Sequence, residues 1–212
     1  FGNPERVSPQ LSPDGKTLAF IAPKDGVLNV WVVAADQGIE TAQAVTNDTT
    51  RGVRSFSWAY TSKHILYTQD IGGDENWRVY SVDIATQKVV DLTPKAGIAA
   101  RIDALSSKIP GEALIAMNDR DPQLHDVWRI DIATGAAKLV FENKENIAYV
   151  FSDDDFKPRL GMVSLPDGGN EFRDLGAKAD ANGVHPVWLT VPFEDAETTT
   201  PIAFEASGKT LY

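Results

Sequence analysis

Short apolar runs alternate with polar, turn-forming segments along this chain. Between Trp58 and Pro94 the pattern predicts three strands, at residues 65–69, 77–84 and 88–92. The joints between them are rich in Gly, Asp and Thr, which favour tight turns. Short runs of β-branched and aromatic residues joined in this way are typical of antiparallel hairpins.

The same pattern recurs at a fixed spacing. The segment YSVDIATQ at 80–87 is repeated as WRIDIATG at 128–135. A less similar copy, WVVAADQG, lies earlier in the chain at 31–38. Tyr80 follows Trp31 by 49 residues, and Trp128 follows Tyr80 by 48. GKTL at 15–18 also returns at 208–211, four such periods later. Self-similarity at this period, with four strands per unit, indicates the blades of a β-propeller.

We therefore expect an all-β fold: a partial β-propeller of four four-stranded antiparallel blades plus the start of a fifth. Because the chain stops within a predicted inner strand, we interpret all of it as one propeller fragment of a longer protein. A four-bladed ring closed by its own terminal strand is the alternative. The fourth blade is the least regular, with strands predicted at 149–151, 161–165 and 187–189 and an unassigned insertion at 166–183. The predicted blade limits are approximately 5–50, 51–95, 96–146 and 147–200, with the fifth starting at 201–212.

Composition narrows the range of partners. Thirty acidic residues against twenty basic ones give a net charge of −10, which disfavours nucleic acid or an anionic membrane surface. The absence of cysteine excludes disulfides and thiolate zinc sites. No apolar run approaches the length needed to span a bilayer. We expect no cofactor, and the compartment stays open between cytoplasm and periplasm.

Two repeat segments, SPDGKTLAFIA at 12–22 and YSVDIATQKVVDLTP at 80–94, resemble the TolB-type propeller repeat. Three further stretches resemble the propeller of the prolyl oligopeptidase family of serine peptidases, in its dipeptidyl aminopeptidase/acylaminoacyl-peptidase-like branch. They are QDIGGDENWRVYSVD at 69–83, FSDDDFKPRLGMVSLPDGGNEFRD at 151–174 and LTVPFEDAETTTPIAFEASGKTLY at 189–212.

The resemblance implies the amino-terminal β-propeller portion of such a peptidase, which gates the active site and helps to select short peptides. It also implies a carboxy-terminal α/β-hydrolase domain that carries the Ser, Asp and His of the triad. That domain is absent from this chain, which contains no Gly-x-Ser-x-Gly stretch. We therefore expect no catalysis from the chain alone, with a short peptide and the hydrolase domain as partners.

Two other functions are alternatives to this one. A non-enzymatic TolB-like scaffold for protein interactions is the main alternative. A propeller hydrolase with a metal in its channel would need convergent ligands, which the scattered His64, His125 and His185 do not supply. A four-blade arc would also leave apolar blade faces exposed, so self-association is expected.

Two further residue sets are expected to be structural. Asp153, Asp154 and Asp155 lack the spacing of a calcium loop and are expected to form a solvated turn. Tryptophans on the predicted strands are expected to pack between blades: Trp31, Trp77, Trp128 and Trp188.

The predicted connection between the second and third strands of each blade is acidic. Equivalent connections of a propeller emerge on one face, so these carboxylates are expected to share a rim and a single negative field. A solvated surface at each loop is the alternative. The acids are Asp25 in blade one, Asp70, Asp74 and Glu75 in blade two, Asp119 and Asp121 in blade three, and 153–155 in blade four.

The connection in blade two supplies the candidate binding residues Asp74, Glu75, Asn76 and Arg78. Two preceding glycines allow a sharp turn that would direct Asp74 and Glu75 outward. Arg78 is placed to pair with one of these acids. We interpret the acids as facing the catalytic domain or the free amino end of a bound peptide. The alternative is that they only cap the hairpin by hydrogen bonding to its backbone.

Overall fold

The computed structural model describes residues 5–212, and this part of the chain is almost entirely β-structure. Its strands form four antiparallel sheets of four strands, each following the order of the sequence. Two short 3-10 helices, Ile39–Thr41 and Phe193–Asp195, are the helical elements of this part. Within residues 5–212 no helix has the length and apolar character to cross a membrane. Four-stranded antiparallel sheets in this order are the repeating units of a β-propeller, and the predicted all-β partial β-propeller is confirmed.

The strands of each sheet have the following limits. The first sheet contains β1 (Val7–Leu11), β2 (Thr17–Lys24), β3 (Val27–Ala34) and β4 (Gln43–Ala44). The second contains β5 (Phe56–Trp58), β6 (His64–Gln69), β7 (Arg78–Asp83) and β8 (Val89–Asp91). The third contains β9 (Ala100–Leu105), β10 (Glu112–Asp121), β11 (Leu124–Asp131) and β12 (Ala137–Phe141). The fourth contains β13 (Tyr149–Ser152), β14 (Pro158–Ser164), β15 (Asn170–Asp174) and β16 (Val187–Val191).

The chain divides into two compact units, which are described separately. The first unit comprises residues 5–101 together with Pro110–Glu112 and Ile130–Ala136. The second comprises Ile102–Ile109, Ala113–Arg129 and Ala137–Tyr212.

Each unit has an apolar core built from alternate strand residues, as the two-residue period of a strand requires. In the first unit the buried side chains include Ile21, Val30, Trp58, Ile65 and Val82. Burying a large apolar side chain contributes about 1.5–3 kcal/mol, so these positions hold the strands in register. The corresponding core of the second unit contains Leu114, Val127, Ile147, Phe156 and Val163.

Neighbouring repeats of the first unit are joined by hydrogen bonds at the blade period. The Trp58 indole N–H donates to the carbonyl of Gln10 at 3.2 Å, 48 residues away. The Gln10 side chain donates to the carbonyl of Phe56 at 3.2 Å, and the N–H of Asp14 donates to Ser62 Oγ at 3.1 Å. The period seen in the sequence is therefore also the period of packing.

The second unit has similar bonds between its strand turns. Ser106 Oγ donates to the carbonyl of Asp154 at 2.6 Å, 48 residues away. Arg159 Nη1 donates to the carbonyl of Gly208 at 2.7 Å, 49 residues away, and to Asp153 Oδ2 at 3.0 Å. This arginine therefore attaches the start of the fifth repeat, where Phe204 and Leu211 form a β-bridge, to the fourth sheet.

The fourth sheet differs from the prediction. β15 lies inside the segment 166–183, for which the sequence pattern predicts no strand, and β14 begins at Pro158 rather than at 161. Residues 153–155 therefore lie between the first and second strands of this blade, so their predicted place between the second and third is wrong. The connection between β14 and β15 contains a different acid, Asp167.

The tryptophans do not share one role. Trp31 and Trp128 are half-buried, and each indole N–H donates to a residue nine positions earlier, at 3.0 Å to the carbonyl of Ala22 and 3.2 Å to Asp119 Oδ1. Trp188 lies on β16 but is 56% exposed, so the prediction that it packs between blades is wrong. Trp77 precedes β7 by one residue and is half-buried.

The repeated motif Asp-Ile-Ala-Thr forms the same turn twice in the first unit. Asp83 Oδ1 accepts the Thr86 N–H at 2.7 Å and the Thr86 hydroxyl at 2.9 Å. Asp131 Oδ1 accepts the corresponding groups of Thr134 at 2.8 Å and 2.8 Å. The N–H of Thr86 is the largest cause that lowers the pKa of Asp83, and the hydroxyl of Thr134 is the largest that lowers the pKa of Asp131.

These two carboxylates predict a specific acid sensitivity. Because both pKa values are lowered by folding, their contribution to stability is present above the free aspartate pKa of about 3.9 and is lost as the pH falls through the folded values. The double variant Asp83→Asn, Asp131→Asn cannot titrate at these positions. Its urea midpoint should therefore fall less than that of the parent chain between pH 5 and pH 3.

The matched control is Asp36→Asn, at an exposed aspartate of a turn in the first sheet. It should lose stability in parallel with the parent chain. If the double variant does so as well, the two turns do not account for the acid sensitivity.

Candidate functional site

The candidate residues lie in the connection between β6 and β7, in the first unit. We define the acidic loop as residues 70–76. Asp74 and Glu75 are exposed, whereas Asn76 and Arg78 are half-buried. The backbone adopts positive φ at Gly72 (65°), Gly73 (86°) and Glu75 (58°). The two glycines adopt this conformation without strain, whereas Glu75 adopts it at a cost because it carries a Cβ.

Asp74 holds the loop in this shape. Its Oδ1 accepts the N–H of Ile71 at 3.2 Å and the N–H of Asn76 at 3.1 Å, and its Oδ2 accepts the Asn76 side-chain amide at 3.2 Å. Desolvation alone would raise the pKa of Asp74, but the hydrogen bonds from Asn76 and Ile71 outweigh it and the pKa is lowered. Both oxygens of this carboxylate are therefore occupied within the loop.

Arg78 contacts a different acid from the one expected. Its Nη1 lies 3.7 Å from Asp91 Oδ2 on β8, and its side chain is largely buried. It affects Asp74 only through its charge, which helps to lower the pKa of that carboxyl. The prediction that Arg78 pairs with an acid of the loop is therefore wrong. The guanidinium instead ties β7 to the outer strand of its own sheet.

In all three aligned repeats, the residue at the position of Arg78 contacts the outer part of its own sheet. Arg78 lies two residues before Tyr80, as Asn29 precedes Trp31 and Asp126 precedes Trp128. In each repeat this side chain contacts the fourth strand or the turn after it. Asn29 accepts hydrogen bonds from Thr46 and Asp48, Asp126 accepts the N–H of Asn143, and Arg78 forms an ion pair with Asp91. The 48- and 49-residue offsets were the signal that could have revealed this role.

A residue outside the loop, missed by the sequence analysis, also holds it. Arg51, in the connection between the first and second sheets, places Nε 3.4 Å from Asp70 Oδ1 and Nη2 3.3 Å from Asp70 Oδ2. The Asp70 side chain is only 3% exposed. The same guanidinium lies 3.4 Å from where a Cβ on Gly73 would stand. Nothing in the local sequence pattern distinguishes Arg51 from other surface arginines.

The remaining acidic connections do not all lie at equivalent places. Asp25 occupies the turn between β2 and β3 with a φ of 52°, and Asp119 and Asp121 lie at the end of β10. The acids at 153–155 belong to the opposite end of their blade, as described above. Residues 153–155 therefore do not belong to the predicted acidic rim, and the equivalent connection of the fourth blade contains Asp167 instead.

Asp153 and the histidines take part in local structure. Asp153 is buried and pairs with Arg159, so the expectation of a solvated turn is wrong for this residue. His64 Nδ1 lies 3.1 Å from Thr61 Oγ1, and His185 Nδ1 bonds to the buried carboxylate of Glu145. His125 lies on β11. In the described part of the chain, no three residues among His, Cys, Asp and Glu are grouped so as to hold a metal ion.

Solved structures with a similar arrangement of sheets define the class. A prolyl endopeptidase structure matches with a TM-score of 0.60 and 15% identity, over 85% of this chain and 27% of that one. TolB from Acinetobacter baumannii matches with a TM-score of 0.54 and 17% identity, over 88% of this chain and 43% of its own. At these identities the likeness establishes the fold, a β-propeller. No family model matches the chain.

Sequence relatives specify the family. The chain is 44% identical over 212 residues to dipeptidyl aminopeptidase BIII of Pseudoxanthomonas mexicana. It is 31% identical over 226 aligned residues to dipeptidyl peptidase family member 6 of Caenorhabditis elegans. Both alignments cover 100% of this chain but only 30% of the relative. The chain belongs to the prolyl oligopeptidase family of serine peptidases, in its dipeptidyl aminopeptidase/acylaminoacyl-peptidase-like branch, and represents propeller sequence of that family.

The geometry predicts different consequences for the two loop acids. Asp74→Ala removes the acceptor of three hydrogen bonds, so amide exchange at Ile71 and Asn76 should accelerate at least tenfold. Glu75→Gln removes a charge that makes no such bonds and should leave these rates within about twofold, because surface changes of this kind alter stability by under about 0.5 kcal/mol. Amide exchange followed by NMR measures both. Equal rates in the two variants would contradict the assignment of Asp74 as the residue that shapes the loop.

Proposed function

We propose that this chain is the gating and specificity portion of a serine peptidase that acts on short peptides. The 44% identity along its whole length to a dipeptidyl aminopeptidase carries the proposal. All of residues 1–212 would belong to one propeller, with an α/β-hydrolase domain as its partner. The TolB-like scaffold is supported only by fold, since the TolB match is 17% identical.

Because the proposal assigns catalysis to the α/β-hydrolase domain, it predicts that the propeller chain alone is inactive. It should not hydrolyse aminoacyl or acylaminoacyl chromogenic substrates, because it carries no nucleophile in an elbow motif. A fluorophosphonate probe tests this directly, with a purified serine peptidase as positive control. Stoichiometric labelling of the chain would contradict the proposal.

The acidic loop is our proposed contact with the free amino end of the peptide. Asp74 already accepts three hydrogen bonds, whereas Glu75 is exposed on a backbone held at positive φ. Glu75 is therefore the acid available to a ligand, and Asp74, Asn76 and Arg78 serve to shape its surroundings. A charge-assisted hydrogen bond between an ammonium group and a carboxylate is worth about 1.5–3 kcal/mol. That range corresponds to roughly ten- to hundredfold in affinity.

In the full-length protein, Glu75→Gln should therefore raise KM for free-amine peptides tenfold or more. KM for the N-acetylated forms of the same peptides should not change, because they carry no ammonium group. The double variant Asp74→Asn, Glu75→Gln should show at least the same effect with little change in melting temperature. If it instead melts several degrees lower with unaltered KM, the loop is structural and the proposed contact is wrong.

We also propose that the isolated chain associates with itself through apolar surface. In the first unit, the half-buried Trp31 and the exposed Ile39 line a groove of about 400 Å³. In the second unit, Trp188 and Ile202 are 56% and 80% exposed. Apolar surface of this kind on an isolated chain favours association.

Light scattering across a hundredfold range of concentration should therefore show a mass that rises with concentration. Trp188→Ser, which removes the largest exposed apolar side chain of the fourth sheet, should reduce the rise. A stable monomer across the whole range would contradict this proposal.

A further inference from the structure

A buried amide of the first sheet fixes the turn that leads to the second sheet. The Asn29 side chain is fully buried, and its Oδ1 accepts the Thr46 hydroxyl at 2.8 Å and the N–H of Asp48 at 2.7 Å. Its Nδ2 donates to the carbonyls of Val27 at 3.1 Å and Asp48 at 2.9 Å. The main chain at Asp48 is thus held on both its N–H and its carbonyl.

The carboxylate of Asp48 then fixes the next four residues. Its Oδ1 accepts the N–H and the hydroxyl of Thr50, both at 3.2 Å, and its Oδ2 accepts the N–H of Arg51 at 3.0 Å and the N–H of Gly52. Gly52 has a φ of 78°, and a Cβ there would lie 3.1 Å from Leu28 Cβ. The turn therefore requires glycine at this position, and the backbone of Arg51 has little freedom.

From this fixed backbone the Arg51 side chain reaches the acidic loop at two points. It makes two N–H···O contacts with the buried Asp70 carboxylate at the start of the loop, at 3.4 Å and 3.3 Å. Its guanidinium also lies 3.4 Å from the position that a Cβ on Gly73 would occupy, directly before Asp74. A guanidinium suits this role because it is planar and presents several donors in a fixed geometry.

We infer that Arg51 is a positioning residue for the acidic loop: it fixes the segment 70–73 and thereby places the Glu75 carboxylate for the amino group of a peptide. This inference rests on the proposed function. Arg51 itself does not touch the peptide. Its effect is transmitted through Asp70 at the start of the loop, so removing it frees this end and weakens the hydrogen bonds that Asp74 makes with Ile71 and Asn76.

The test uses the chain itself and three variants of basic residues. Arg51→Gln removes both the positive charge and the planar guanidinium with its several donors. Arg51→Lys retains the charge but not the guanidinium. Arg54→Gln is the matched control, at another exposed arginine of the same connection. The first readout is amide exchange in residues 71–76. The second is the affinity for alanyl-alanine amide, measured by NMR titration beside its N-acetylated form. Glu75→Gln is measured in the same titration.

Arg51→Gln should accelerate exchange in the loop at least tenfold and weaken binding of the free-amine dipeptide at least threefold. Arg51→Lys should restore part of both losses, and Arg54→Gln should match the parent chain. The inference is overturned if Glu75→Gln weakens binding but Arg51→Gln does not, or if Arg51→Gln exchanges like Arg54→Gln. If Glu75→Gln leaves binding unchanged, the proposed contact of Glu75 with the peptide amino group is wrong. The proposed role of Arg51 in peptide binding is then wrong as well.

Discussion

The buried amide of Asn29 is the contact on which the geometry of the candidate site depends. A buried amide without partners would cost about 1–3 kcal/mol, and here each of its polar atoms has two partners. Those partners lie in the turn that leaves the first sheet. The position of Asp48, the backbone of Arg51 and the contact with Asp70 all follow from it. The first sheet therefore determines where the acidic loop of the second sheet lies.

This arrangement explains how an exposed, acidic loop is kept in one conformation. Loops carry function in many proteins because rigid strands hold their ends, while their tips stay free to meet a ligand. Here the start of the loop is held by Arg51 and its middle by the hydrogen bonds of Asp74. Glu75 is left in a left-handed conformation that costs energy, a feature often associated with functional positions. The division between a shaping acid and an available acid follows from these contacts.

Much of the fold could be predicted from the sequence, because the aromatic residues at 31, 80 and 128 mark the third strand of three blades. The fourth blade has no such marker. Its third strand, Asn170–Asp174, could therefore not be recognised within the segment 166–183. The loop acids were also recognised from their composition. The limits of the blades and the contact of the loop with a peptide stay predictions.

The partners of the arginines could not be predicted, because they depend on register. Arg78 is close in sequence to Asp74, but pairing of Tyr80 with Asp91 across β7 and β8 brings Asp91 to the same face, two residues along. Arg51 and Asp70 are 19 residues apart and meet only because the turn after Asp48 is fixed. Contacts of this kind are set by tertiary structure rather than by local pattern.

The central claim is that Arg51 and Asp70 are energetically coupled. A double-mutant cycle with Arg51→Gln, Asp70→Asn and the double variant measures this coupling from urea unfolding at neutral pH. Because the pair includes a buried carboxylate, we predict a coupling of at least about 1 kcal/mol. Additivity of the two single variants to within about 0.3 kcal/mol would contradict the account.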